Sequence, residues 1–271
     1  MLAIVIPAIN EAKHINRVIY NVNVLKPDLI LPIINGCSDD TLNTVLGSKN
    51  SAVKVLHFHE PLGIDVPRAL GALYAFRNGA SRVIFVDGDM SGDFQFHLLE
   101  LDIALVNGAH MALSNCYPYI TSRHPLISMI LQFRARLNSA LGLYAQLGLA
   151  SPSHGPHGIT KELFSAIPTR ELALPPVSLV LAANHGFHVK VATALPHTKL
   201  GSPAKGNLHS ETVANTLIGD CVEGLEILKQ GPRSRLWEGK KYVGYHNARR
   251  FDIIEAYLAK SRSWDIFRPR K

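Results

Sequence analysis

The stretch Val83-Ile84-Phe85-Val86-Asp87-Gly88-Asp89 decides how the rest of this 271-residue chain is read. Val83 to Val86 are apolar, rich in β-branched and aromatic side chains, and too few for a helix, which makes them a buried strand. The two aspartates follow directly and therefore sit where that strand ends. Comparable runs stand at Leu2–Ile6, Leu29–Ile34, Val53–His57 and His110–Ser114. Helical patterns lie between them at Glu11–Leu25, Asp39–Leu46, Val66–Asn78 and Phe94–Val106. Asn10 and Ser38 are the expected N-caps of the first two, and Gly79 closes the third. This alternation predicts an α/β fold, a mostly parallel sheet with helices on both faces. Such sheets bind ligands beyond the carboxyl ends of their strands.

The loops at those ends carry polar residues in a consistent way. The first strand runs into Pro7-Ala8-Ile9-Asn10-Glu11, and the second into Asn35-Gly36-Cys37-Ser38-Asp39-Asp40-Thr41. The third is followed by Pro61 to Ala69, which contains Arg68, and the fourth by Asp87-Gly88-Asp89. Each alone has a bland reading as a cap, a turn or a solvated acid pair. Together they converge on one sheet edge. Two carboxylates around a glycine suit Mg²⁺ or Mn²⁺, which prefer oxygen ligands shared with substrate phosphates. An ion there neutralises charge developing on a diphosphate leaving group, and Arg68 supplies a second cationic contact to phosphate oxygens. The chain has no G-x-x-x-x-G-K-[ST], G-x-G-x-x-G or G-x-S-x-G motif.

Composition excludes other classes. The chain is 47% hydrophobic and 18% charged, a globular balance. Its most apolar long stretch, Pro125 to Leu149, is interrupted by Gln132, Arg134, Arg136 and Asn138, so no membrane span is expected. The N-terminus enters a strand at once, with no basic n-region and no cleavage site, so no signal peptide is expected. Cys37, Cys116 and Cys221 are too few and too scattered for a disulfide framework, pointing to a reducing cytoplasm. From Lys229 onward twelve Lys/Arg face four acids, whereas the preceding residues hold sixteen Lys/Arg and seventeen acids. The net charge of +7 thus belongs to the tail, and a near-neutral body argues against nucleic acid as a partner.

Beyond residue 120 the pattern changes. Pro125–Leu147 is mainly helical, and its apolar surface suits core or a face for a second copy of the chain. Ala150 to Gly158 is a Gly/Pro loop, followed by a short helix near Lys161–Ala166, a helix at Pro175–Asn184 and a strand at Val189–Ala194. Ser210–Gln230 is an amphipathic helix with Val213, Leu217, Cys221, Leu225 and Leu228 on one face. Arg134 and Arg136, two apart, cannot share a helix face. One of them pointing to the acceptor side and a snorkelling surface position are equal alternatives. Among the 13 histidines, His57, His59, His97 and His185 are read as structural. The tail at 229–271 interleaves basic residues with Trp237, Tyr242, Tyr245, Phe251, Tyr257, Trp264 and Phe267, and Asn247–Lys260 is its expected helix. Either its aromatics pack on the body or a second subunit, or the tail lies on an anionic membrane surface.

In order along the chain, Pro7 to Glu11, Asn35 to Thr41, Gly63 to Gly71 and Phe85 to Asp89 resemble the nucleotide-sugar half of GT-A fold glycosyltransferases. That group includes dolichol-phosphate mannose synthases and glucosyl-3-phosphoglycerate synthases. A weaker similarity, from Pro152 to Pro168, covers the acceptor loop and the helix after it. The resemblance implies one GT-A domain over 1–228, divided into a nucleotide-sugar half (1–120) and an acceptor half (121–228), with a basic aromatic arm at 229–271. It implies a metal-dependent hexosyltransferase that uses a nucleoside diphosphate sugar and a small phosphorylated or lipid-phosphate acceptor. Pro7, Asn10, Glu11, Asn35 and Asp39 would line the nucleotide pocket, with Arg68 at the diphosphate. Asp87 and Asp89 would hold Mn²⁺ or Mg²⁺, Asp89 and Arg68 acting in catalysis. His154, Gly155 and His157 would meet the acceptor.

Two departures shape the expectation. The acid that the family usually carries two residues before the glycine of the second motif is Ile34 here, which leaves the base of the donor open. The Glu-Asp pair of many inverting members is replaced by Ala173-Leu174-Pro175-Pro176-Val177-Ser178, which favours retention. Some retaining members add a downstream histidine to the metal, and His197 is the residue that matches. The alternatives are a nucleotide-sugar-binding protein without catalysis and a sugar-nucleotide nucleotidyltransferase, the latter disfavoured by the missing N-terminal glycine-rich loop. The expected location is the cytoplasm, with the arm as a contact to the inner face of the membrane.

Overall fold

The computed structural model describes residues 1–119, 124–203, 206–259, 264 and 266–267. In chain order the first half holds β1 (Leu2–Ala8), α1 (Ile15–Val22), β2 (Leu29–Asn35), α2 (Thr41–Leu46), β3 (Val55–Phe58), α3 (Val66–Arg77), β4 (Arg82–Phe85), α4 (Gln95–Val106) and β5 (Met111–Asn115). The second half holds α5 (Pro125–Ala140), α6 (Tyr144–Leu147), β6 (His157–Thr160), α7 (Lys161–Ala166), α8 (Pro175–Asn184), β7 (Val189–Ala194) and α9 (Asn207–Leu228). The arm adds β8 (Leu236–Trp237), β9 (Lys240–Lys241), α10 (Phe251–Leu258) and β10 (Ile266–Phe267). The main sheet has the order β10-β3-β2-β1-β4-β6-β5-β7. Strands β3, β2, β1 and β4 run parallel, as do β5 and β7, while β6 is antiparallel to both of its neighbours.

Hydrophobic burial explains the layering. One core packs the sheet against α3, α8 and α10, through Leu70, Leu73, Leu179 and Ile254 among others. The opposite core packs it against α1 and α4, through Ile15, Val18, Leu98 and Leu101. Each such side chain contributes about 1.5–3 kcal/mol when fully buried. Gly71 lets α3 approach the sheet, since a Cβ there would lie 2.4 Å from Cγ1 of Val5.

Several expectations are corrected. The helix expected at Glu11–Leu25 is α1 plus a short 3₁₀ turn, with His14 rather than Asn10 at its N-cap position and no side-chain capping bond there. Asp40 rather than Ser38 precedes α2. The helix drawn over 125–147 breaks at Gly142, whose φ is +71°. The end of the Gly/Pro loop is strand β6: Ile159 faces core, and Gly158 fits only because its missing Cβ would stand 2.6 Å from Leu105. In α5, Phe133 and Leu137 face α9, so the apolar stretch is core.

The arm lies on the body. Trp264 stacks on Tyr257 with centroids 4.1 Å apart and meets Tyr74 edge-on, and Trp237 packs against Phe133. The end of the helix expected over 247–260 and the basic residues Arg262, Arg268, Arg270 and Lys271 lie outside the described residues.

Candidate functional site

Because β1, β2 and β4 are parallel, their carboxyl ends share one edge. The Asp87-Gly88-Asp89 turn is fastened there by backbone bonds. Val86 N–H donates to Val5 O at 3.1 Å and Gly88 N–H to Pro7 O at 2.9 Å. A Cβ on Gly88 would sit 3.0 Å from both Ala8 Cβ and Pro7 O, so glycine permits this close run along β1. Met90 N–H returns to Asp87 O and Ser91 N–H to Asp89 O, closing the turn. Beyond it, Gly92 N–H donates to Leu200 O and Ser202 Oγ to Asp89 Oδ1 at 3.2 Å, tying the turn to the loop that carries His197.

A cavity of about 630 Å³ opens in front of this edge. Of the residues expected at the nucleotide, Pro7, Glu11, Asn35, Arg68, Asp87 and Asp89 line it. Asn35 Oδ1 accepts from Leu62 N–H at 2.7 Å, anchoring the loop after β3. Asn10 and Asp39 do not line the cavity. The side chain of Asn10, whose own φ is +57°, accepts from the backbone N–H groups of Ser38 and Asp39 and so joins two loops. Asp39 accepts from Thr41 and from Ala12 N–H. Burial would raise its pKa, but these hydrogen bonds prevail and hold it below the usual carboxylate value.

Arg68 is buried at the first turn of α3, between the carboxylates of Asp65 and Asp87. Asp65 adopts φ +64° at the helix start and also accepts from Arg249 of the arm, whose Nη2 lies 3.3 Å away. Arg249 is fully buried and pairs with Asp220 of α9 at 2.7 Å. An alternating chain of charges, Asp220–Arg249–Asp65–Arg68–Asp87, therefore runs from the arm to the sheet edge. His209, Val213 and Leu217 of α9, with Tyr245 and Ala248 of the arm, complete the cavity wall. Nothing in their spacing signals this, because their proximity to β4 is purely tertiary.

Among the residues expected at the acceptor, His154 lines the cavity, next to Ser153. His154 Nε2 and His197 Nδ1 are 3.0 Å apart, and both rings stack on Tyr117. Burial drives His154 well below the usual imidazole pKa, reinforced by Arg134, His197 and Arg68. Burial also lowers His197, with Arg134 adding and Asp89 opposing. Both shifts favour the neutral imidazole, and in the bond between the two rings one nitrogen must be an unprotonated acceptor. Gly155 instead packs on Cys116, where a Cβ would fall 2.4 Å from Sγ. His157 lies within β6, buried and stacked on Phe85 at 4.8 Å, away from the cavity lining. Burial pushes its pKa down to about 3.

Arg134 and Arg136 point apart. Arg136 lies over the rings of Phe133 and Trp237. Arg134 is 3% exposed, and its Nη2 donates to Ser153 Oγ at 3.1 Å. Its Nε has no hydrogen-bond partner, and no described carboxylate pairs with it. Asn138, one turn on, donates to the carbonyls of Gly148 and Ala150 and so holds the loop against α5. A buried, unpaired guanidinium is costly without an anion, and this one stands beside the cavity wall.

The donor chemistry at the sheet edge fits a hard divalent cation. Asp87 and Asp89 offer oxygen ligands, both partly accessible from the cavity. His197 does not close a compact triad with them. Among the described residues, the one set of three such groups with ligand atoms all within 4.8 Å is Asp220, Glu223 and His246. That set is filled by protein: Arg235 Nη1 donates to Asp220 and Glu223 and lies 3.1 Å from His246 Nδ1, and Arg249 bonds Asp220 through two nitrogens.

No protein-family model and no curated protein matches this sequence. Solved structures do. Glucosyl-3-phosphoglycerate synthase from Mycobacterium tuberculosis, in complex with Mn²⁺ and UDP-glucose, superposes with a TM-score of 0.64 at 16% identity, over 86% of this chain and 80% of that one. The same enzyme with Mn²⁺, UDP and glucosyl-3-phosphoglycerate gives 0.62 at 17%, over 86% and 81%. With Mn²⁺, UDP and phosphoglyceric acid it gives 0.56 at 22%, over 82% and 78%. The chain has the fold of these synthases, the GT-A fold that its motifs resemble.

Proposed function

We propose that this chain is a glycosyltransferase that moves a sugar from a nucleoside diphosphate to a small phosphorylated acceptor. The observation that carries the proposal is one cavity with two chemically distinct sides. Asp87, Asp89 and Arg68 stand on the strand edge, and the unpaired Arg134 stands behind Ser153 and His154 opposite. Asp87 and Asp89 would hold Mn²⁺ or Mg²⁺, and Pro7, Glu11 and Asn35 would flank the nucleotide. The ion supplies neutralisation of the charge developing on the diphosphate. Arg68, preorganised between two carboxylates, donates to the phosphate oxygens of the leaving group. Arg134 offers its charge to the acceptor's phosphate, and neutral His154 orients the acceptor by hydrogen bonding.

Retention is the proposed stereochemistry. The place of an inverting base is Ala173 to Ser178, buried in the core, and the carboxylates lining the cavity are Glu11, Asp65, Asp87 and Asp89 on the strand side. A soluble acceptor is preferred to a lipid phosphate because Trp237, Tyr257 and Trp264, the aromatics that would meet a membrane, pack on the body. Among the described residues no helix is long and apolar enough to cross a membrane. The working unit is proposed to include the arm as well as residues 1–228, since the arm contributes to the cavity wall.

Melting temperatures with UDP, GDP, ADP, CDP and dTDP, each with and without Mn²⁺, test the donor side. One diphosphate should stabilise the wild type only with metal, and Asp89→Ala should abolish the increment. Turnover is then measured with the matching sugar nucleotide and a phosphorylated hydroxy acid, and the anomeric configuration of the product is read by NMR. Tight donor binding without transfer to any phosphorylated acceptor would mark a binding protein instead.

A further inference from the structure

A second cavity, of about 500 Å³, lies between the end of α9, the 3₁₀ turn at Thr169–Ala173 and the β8–β9 hairpin of the arm. It is lined by Arg170, Arg233, Arg235, Lys241 and His246, with Glu223 as its acid and Ser234 and Asn247 as neutral donors. Charge pairing around it is incomplete. Arg233 bonds Glu171 through two nitrogens and Glu223 through Nε. Arg235 pairs with Asp220 and Glu223, and Arg249 with Asp220 and Asp65. Arg170 and Lys241 stand outside these pairs. Among the described residues neither makes an ion pair or a side-chain hydrogen bond, and Nε of Arg170 is buried without a partner. The Arg170 guanidinium carbon lies over the Phe251 ring, 4.4 Å from its centroid, so packing against that ring places the group. His246 Nδ1 receives from Arg235 and Arg249, which leaves its proton on Nε2, a further donor on a residue of the wall.

We propose that this cavity binds a phosphate-bearing small molecule, with Arg170 and Lys241 taking the phosphate and Ser234 and Asn247 flanking it. A packed arginine and an exposed lysine, neither in a described ion pair and both beside neutral donors, are the arrangement that a dianion satisfies and that a chloride or a carboxylate satisfies less well. The volume exceeds what a bare phosphate fills and lies within the range of small-ligand sites. The site is separate from the Asp87–Arg134 cavity and does not rest on the transfer reaction proposed there.

Inorganic phosphate is titrated into the full chain in EDTA, with potassium chloride at matched ionic strength as control, followed by calorimetry and by melting temperature. Phosphate should bind saturably and raise the melting temperature where chloride does not. Arg170→Met and Lys241→Met should each weaken that binding by about tenfold or more, the loss of one charge-assisted hydrogen bond. Lys241 is exposed, so its variant keeps the fold and decides the matter if Arg170→Met is unstable. Arg134→Met, in the other cavity, should retain the binding. Chloride reproducing the effect, or phosphate binding unchanged in Lys241→Met, overturns the proposal. So does phosphate binding that disappears in Arg134→Met and survives the other two substitutions.

Discussion

Two clusters in this molecule have nearly the same composition and opposite characters. Asp87 and Asp89 line an open cavity, with His197 bonded to the wall residue His154, and the side chain of Asp87 keeps 30% of its exposure. Asp220, Glu223 and His246 are packed more tightly and would pass a distance test for a metal site. Asp220 is fully buried, and guanidinium nitrogens of Arg235 and Arg249 occupy the space that an ion would take. Residue type and proximity therefore do not define a metal site; what decides is whether the charge is already compensated. In the open cluster Asp87 shares Arg68 with Asp65 and both aspartates stay partly exposed to the cavity, whereas in the closed one Arg235 and Arg249 bury the carboxylates and hold the arm.

The contrast breaks if the closed cluster proves dispensable for folding. Arg249→Ala leaves Asp220 and Asp65 short of a buried partner, so stability should fall by about 3–5 kcal/mol in urea unfolding. A loss under about 1 kcal/mol would mean that the charge chain does not hold the arm. The next effect lies in the open cluster and has the opposite signature. Asp89→Ala should leave the unfolding midpoint nearly unchanged while sugar transfer falls by about 10²-fold or more. Asp220→Asn should keep the Mn²⁺-dependent increment in melting temperature that Asp89→Ala loses. Metal dependence that follows Asp220 would reverse the assignment of the two clusters.

A smaller effect concerns protons. His157, His154 and His197 have depressed pKa values, so the unfolded chain binds protons that the native state does not. Stability contributed by their neutral forms is present above the unfolded value of 6.5 and is lost as pH falls, for His157 until about 3. Each group should cost at most about 1.4 kcal/mol per pH unit in that window. His157→Phe should flatten the decline, and an unchanged slope would show that His157 is not responsible for it. The smallest effect belongs to the surface: Arg250→Ala, which removes exposed pairs with Asp252 and Glu60, should leave the unfolding midpoint unmoved.

The parallel half was legible because continuous apolar runs and strand-end motifs are local signals. Asp87 and Asp89 follow β4 directly, and Arg68 opens α3. Strand β6 was hidden because four residues beside glycines and prolines carry no period long enough to detect. His157 was grouped with His154 by adjacency, but entry into β6 turns it into the core while His154 remains at the cavity. Asn10 looked like a cap and links two loops instead. Pairings such as Arg249 with Asp65 have no signature in one sequence, since any buried arginine of the arm would look the same before folding.

That last pairing has a consequence for how the protein is made. Asp65 precedes Arg249 by 184 residues. At a synthesis rate of about 5–20 residues per second, the acid leaves the ribosome roughly ten to forty seconds before its partner. Gly63 is pressed against Ala248, where a Cβ would stand 2.4 Å from the carbonyl oxygen. The cavity floor thus assembles early and its wall arrives late. A nascent chain can pair its central strands while the Asp65–Arg68 corner remains open, so the site is completed only after the arm has been translated.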